Sequence, residues 1–122
     1  MAEKMTTLVA CLSSGKGTWR HVKELIQKED WKKVFLVTDE FGMKNFSVEK
    51  PVEFILINNA QTLKEMVSSI RNQLKDKLED IEVGVNFVSG SGKEHMALLS
   101  ALLNLGIGIR LVAVTSEGVE EI

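Results

Sequence analysis

The sequence predicts an α/β domain: a Rossmann-like, doubly wound, mainly parallel five-stranded sheet with helices on both faces. Three observations predict it. Apolar runs rich in Val, Ile, Leu and Phe occur at 7–12, 33–38, 52–57, 81–88 and 109–115, each the length of a strand. Most lack the polar alternation of a half-exposed strand, as expected where both faces of a parallel sheet are covered. Helical patterns lie between them, and alternating strands and helices call for right-handed crossovers.

The first run holds the only cysteine, Cys11, within Leu8-Val9-Ala10-Cys11-Leu12. A lone cysteine has no internal disulfide partner, and no CxxC or Cys/His set suggests zinc, so Cys11 reads as a small buried hydrophobe. Residues 18–28 then place Trp19, Val22, Leu25 and Ile26 on one helical face. After the second run, residues 39–51 offer no long helix, though a short one fits there. A connection of that length in a compact domain is usually functional or mobile. Residues 61–78 carry Leu63, Met66, Val67, Ile70, Leu74 and Leu78 at the three-and-four spacing of a strongly amphipathic helix. Residues 93–105 differ, because Met96, Ala97, Leu98, Leu99, Ala101, Leu102, Leu103 and Leu105 leave almost no polar face. Gly106 ends that helix as a C-cap. Beyond the fifth run only residues 116–122 remain, read as a tail. No repeat, linker or low-complexity stretch divides the chain, so residues 1–122 are one domain.

Composition bounds the partners. The 122 residues are 44% apolar and 26% charged with net charge −2, so no global basic field argues for long nucleic acid. Any bound anion must be held locally. No run approaches the ~18 to 20 apolar residues of a membrane span, and the N-terminus lacks the features of a signal peptide. The expectation is a cytoplasmic protein away from membranes. The all-round apolar helix predicts a twofold homodimer, since small domains seldom leave such a surface unused; a fully covered central helix is the alternative.

In an open parallel sheet, ligands bind beyond the carboxyl ends of the strands, where the strand order reverses. Two similar turns fall at that edge: Ser13-Ser14-Gly15-Lys16-Gly17-Thr18 after strand one, and Ser89-Gly90-Ser91-Gly92-Lys93 after strand four. Each joins small hydroxyls, glycines and a lysine just before a helix. Free N–H groups at a helix start attract anions, glycines admit a phosphate to the backbone, and lysine adds a mobile charge. Glycine and serine are also ordinary strand-to-helix turn residues; it is the repetition of the pattern that points to phosphate. Neither turn is a P-loop, because Ala10 and Phe87 stand where that motif needs its first glycine, and Gly17 and Glu94 follow the lysines. Nor does either carry the spaced glycines of a dinucleotide site, with Asp39 the sole candidate for the acidic residue ending strand two. ATP hydrolysis and NAD binding are disfavoured, and no cofactor is implied.

The stretch Val88-Ser89-Gly90-Ser91-Gly92-Lys93-Glu94-His95-Met96-Ala97-Leu98-Leu99, with the order of elements and the Ser-rich turn after strand one, resembles CARF domains, the CRISPR-associated Rossmann-fold sensors. Gly90 and Lys93 match the family motif, whereas Ser91 stands at its second glycine and Gly92 at its threonine. The likeness covers essentially the whole chain. It implies a homodimer whose paired turns line one symmetric pocket for a cyclic oligoadenylate. By motif position Ser13, Ser14, Gly90 and Lys93 are the expected contacts, with Gly15, Lys16, Ser89, Ser91 and Gly92 in the same two turns and Thr18 beside the first.

Two functions follow from that resemblance. One is a sensor in antiviral signalling, acting through an effector protein or by sequestering ligand. The other is a metal-independent ring nuclease. There the ribose 2′-hydroxyl attacks the adjacent phosphate, Ser14 (or Ser13) orients that hydroxyl and Lys93 neutralises charge. A subunit with a structural or dimerisation role and no nucleotide ligand is a third possibility. His95 is a candidate general acid or base, and Trp19 and Phe41 are candidates to stack an adenine. His21 and His95 also suit plain helix-face positions, and both aromatics suit core packing.

Overall fold

The structure, a computed structural model, describes residues 6–12 and 17–122. The candidate contacts Ser13, Ser14, Gly15 and Lys16 lie outside the described residues. In chain order the elements are β1 (Leu8–Cys11), α1 (Trp19–Gln27), β2 (Val34–Thr38), α2 (Glu40–Asn45) and β3 (Glu53–Leu56). They continue as α3 (Leu63–Leu74), β4 (Glu82–Asn86), α4 (Gly92–Asn104), β5 (Gly108–Thr115) and β6 (Gly118–Glu121). The fold is α/β, with one mostly parallel sheet in the order β3-β2-β1-β4-β5-β6. Strands β1 to β5 pair in parallel, and β6 returns antiparallel along β5.

The sheet therefore has six strands, not five. Residues 118–121, read from sequence as tail, form a hairpin with β5: Val114 pairs with Val119 and Thr115 with Gly118. Gly118 adopts φ +108°, a conformation that favours glycine, so Ser116-Glu117-Gly118 turns the chain. Val119 adds a little apolar surface, but its strand exists because β5 offers an edge.

Period-two alternation divides the core cleanly. Leu8, Ala10 and Leu12 face one way with Val34 and Leu36, meeting Trp19, Val22, Leu25 and Ile26 of α1. Val9 and Cys11 face the other way with Phe35, Val37, Val83 and Val85, meeting Met66, Ile70 and Leu74 of α3 and Ala97, Leu98, Ala101 and Leu102 of α4. Each fully buried Leu or Ile contributes about 1.5–3 kcal/mol over an exposed one. Strands β1 and β2 are buried along their whole length, which explains their unbroken apolar sequence. Edge strand β3 is half exposed. Its outer edge is closed by Gln73 of α3, whose amide accepts from Leu56 N (3.0 Å) and donates to Leu56 O (2.9 Å). A side chain thus occupies the backbone groups another strand would seek.

The connection 39–51 holds the short helix α2. Asp39 caps it, accepting from Gly42 N at 2.9 Å, and Gly42 lies so close to Thr38 that a Cβ there would stand 1.9 Å from its hydroxyl. Helices α3 and α4 both open with capping boxes, Thr62 with Glu65 and Ser91 with Glu94. Helix α4 closes at Gly106 (φ +72°), whose N–H donates to Leu103 O while Ile107 N donates to Leu102 O. That is the Schellman pattern, and Ile107 tucks back onto the core. Among the described residues, no helix is long and apolar enough to cross a membrane.

Candidate ligand site at the carboxyl edge of the sheet

Strand β1 pairs with β2 on one side and β4 on the other, so the carboxyl ends of β1 and β4 lie side by side. The closeness is atomic: a Cβ on Gly90 would stand 3.1 Å from the Cβ of Cys11, the last residue of β1. Gly90 has φ +104°, and the same Cβ would meet His95 Nε2 at 3.1 Å and Glu94 Oε1 at 2.8 Å. Only glycine suits this corner on both counts, conformation and space.

Several bonds hold the turn rigid. His95 Nε2 lies 2.8 Å from Ser89 O, and the His95 ring packs on Phe87 with centroids 5.0 Å apart. Ser91 N donates to Glu94 Oε1 at 2.9 Å, and Glu94 N donates to Ser91 Oγ at 3.3 Å. Beneath the turn, Asn86 is buried. Its amide donates to Val112 O at 2.8 Å, stands 3.3 Å from His21 Nε2, and accepts from Val88 N at 3.1 Å. The two histidines thus brace residues 86–89, one from each face of the sheet.

The start of α4 is partly occupied by the protein itself. Glu94 is buried, and its carboxylate sits over the helix N-terminus, where the partial positive charge favours an anion. Two N–H groups of the first turn, those of Gly92 and Lys93, have no acceptor among the described residues. The surroundings of Gly92 are open. Burial, reinforced by the nearby Glu94 carboxylate, pushes the Cys11 thiol far above its ordinary value.

Lys93 is not the free cation its position suggested. Its Nζ donates to the carbonyls of Asn59, at 3.2 Å, and of Gln61. The ammonium is thus drawn sideways to the loop between β3 and α3. Ser89, Gly90, Ser91, Gly92 and Lys93 form the corner that leads from β4 into α4. Ser89 is buried, so its hydroxyl does not present to solvent, and Ser91 spends its hydroxyl on the cap. Trp19 is a core residue against Phe46, whereas Phe41 keeps a ring face in solvent. Asp39, directly after β2, caps α2 through Oδ1. Among the described residues no cluster of His, Cys, Asp or Glu is arranged to hold a metal ion.

No protein-family model matches the chain, and no curated protein matches it in sequence.

Sequence reasoning missed Asn86, Glu94 and the Asn59–Gln61 carbonyls. Ser91-x-x-Glu94 carried a readable signal, because it is the capping-box spacing. The carbonyls carried none, since Gln61 is 32 residues from Lys93 in the chain.

Proposed function

We propose that this chain is a Rossmann-like, doubly wound nucleotide-binding domain whose corners after β1 and β4 hold the phosphates of one ligand. A single observation carries the reading: β4 lies beside β1, with Gly90 against Cys11, at the point where the strand order reverses. The free N–H groups of Gly92 and Lys93 supply donors, and Lys93 supplies a charge once it leaves the two carbonyls. In its specific form, the chain is a CARF-type sensor and the ligand a cyclic oligoadenylate bound across a homodimer.

The apolar flank of α4 supports the dimer. Met96 and Leu103 are 57% and 64% exposed. On the same side of the sheet Leu111, Val88 and Ile122 are exposed around a small apolar cleft of about 180 Å³, which also meets Phe87. A second copy seated there brings two Lys93-bearing corners toward one axis.

Calorimetric titration with cyclic tetra- and hexa-adenylate tests the reading. Binding that Lys93→Ala weakens at least tenfold, about 1.4 kcal/mol, is the expected result. Absence of heat with both rings overturns the cyclic ligand. Incubating the bound ring in chelator then separates sensor from ring nuclease: linear product ending in a 2′,3′-cyclic phosphate identifies the enzyme, and an intact ring the sensor.

A further inference from the structure

Beside the turn, at the ends of β2 and β3, lies a cleft of about 380 Å³. Leu56 and Ile57 form its apolar floor, and Phe41 (45% exposed) a flat wall. Its rim is polar, and the hydrogen bonds within the rim fix which way each group points. Asn58 spends its carbonyl oxygen on Ala60 N at 2.8 Å, and Gln61 spends its own on Asn58 N at 3.1 Å. Both side chains are left with amide N–H donors that meet no acceptor among the described residues. Asp39 commits Oδ1 to Gly42 N, while Oδ2 has, among the described residues, only a 3.4 Å contact from Asn59. The rim therefore offers two donors and one carboxylate acceptor around a slot with an aromatic side. Lys93 Nζ rests on the backbone of Asn59 and Gln61, two residues of the same lining.

We infer that this cleft is a purine subsite, with Lys93 at its rim placed for the phosphate of the same nucleotide. A purine presents a flat ring for Phe41, ring nitrogen or carbonyl acceptors for the Asn58 and Gln61 amides, and an N–H donor for Asp39. The volume falls within the usual range of small-molecule sites, roughly 300–1,000 Å³. The inference deepens the nucleotide-binding reading but needs neither a ring nor a dimer, because every group comes from one chain.

Nuclear magnetic resonance titration of the full chain with adenosine and guanosine 5′-monophosphates, beside ribose 5-phosphate, tests it. Saturable shifts of the Phe41, Asn59 and Gln61 amides with at least one nucleotide are expected, with ribose 5-phosphate at least tenfold weaker. Phe41→Leu removes the aromatic face of a 45% exposed ring but keeps apolar bulk beside Trp19, whose ring centroid lies 6.2 Å away, and should weaken the nucleotide at least tenfold while leaving the melting curve in place. Asp39→Asn keeps the cap of α2 and should lower affinity for the nucleotide but not for ribose 5-phosphate. Equal affinity for nucleotide and sugar phosphate, or shifts confined to residues 89–93, overturns the subsite. Mononucleotide binding in this cleft without any heat from the cyclic rings retains the subsite and discards the cyclic ligand.

Discussion

Gly90 stands against Cys11, so close that a single added carbon would lie 3.1 Å from the Cys11 side chain. Backbone conformation, packing and the proposed site meet at this contact. Replacing Gly90 by alanine forces a left-handed φ on a residue with a Cβ and drives that carbon toward β1. The expected loss is about 1–3 kcal/mol, read as a lower urea midpoint at unchanged slope. A midpoint equal to the parent's would mean that the corner reshapes freely, and a fixed phosphate cradle would lose its footing.

Cys11 reports on the same contact from below. Its burial, with the Glu94 carboxylate second, holds the thiol protonated far above the ordinary range. The native protein should therefore leave a thiol reagent unreacted at mildly alkaline pH and consume one equivalent in denaturant. Rapid stoichiometric labelling of the folded chain would show the turn lifting from β1. A proposed ligand that bridges both corners should slow any residual labelling further.

At the opposite edge of the sheet, Asp80 ties three strand beginnings together. It accepts from Lys32 Nζ at 2.9 Å, from Thr7 Oγ1 at 2.8 Å and from Thr6 Oγ1 at 3.2 Å. The Lys32 hydrogen bond first, then that of Thr7, hold the Asp80 carboxyl below its ordinary value. A carboxyl depressed in the folded state contributes stability above its unfolded pKa, about 3.9, and that contribution fades as pH falls through the folded value. Asp80→Asn should lower the urea midpoint at neutral pH, and the gap to the parent should close under acid. A gap independent of pH would assign Asp80 a role in shape alone. Lys32 is half exposed, so solvent screens its attraction to Asp80 and the effect is small.

What could be read in the sequence followed burial. Strands β1, β2 and β4 were legible because both faces are covered along nearly their whole length, which leaves an unbroken apolar record. β6 was illegible because Gly118-Val119-Glu120-Glu121 has one apolar residue and owes its form to pairing with β5. The apolar residues of α4 divide into a covered side, Ala97, Leu98, Ala101 and Leu102, and an open side at Met96 and Leu103, a division that its near-uniform apolar composition does not show. The corner at 89–93 was visible as a pattern of small residues. Its internal occupancy by Glu94, and the sideways reach of Lys93, arise from contacts that local composition does not record.

The open side of α4 yields a prediction about assembly. Leu103 is 64% exposed, so glutamate there meets only water in a monomer and should leave the melting curve within about 0.5 kcal/mol of the parent. In the proposed dimer the same carboxylate is forced into an apolar interface with no partner, a cost of several kcal/mol. Sedimentation equilibrium should therefore give twice the 13.6 kDa chain mass for the parent and the single chain mass for Leu103→Glu. A parent that sediments as one chain at all concentrations removes the twofold axis. The Asp39–Phe41–Gln61 cleft would then still be intact within each subunit.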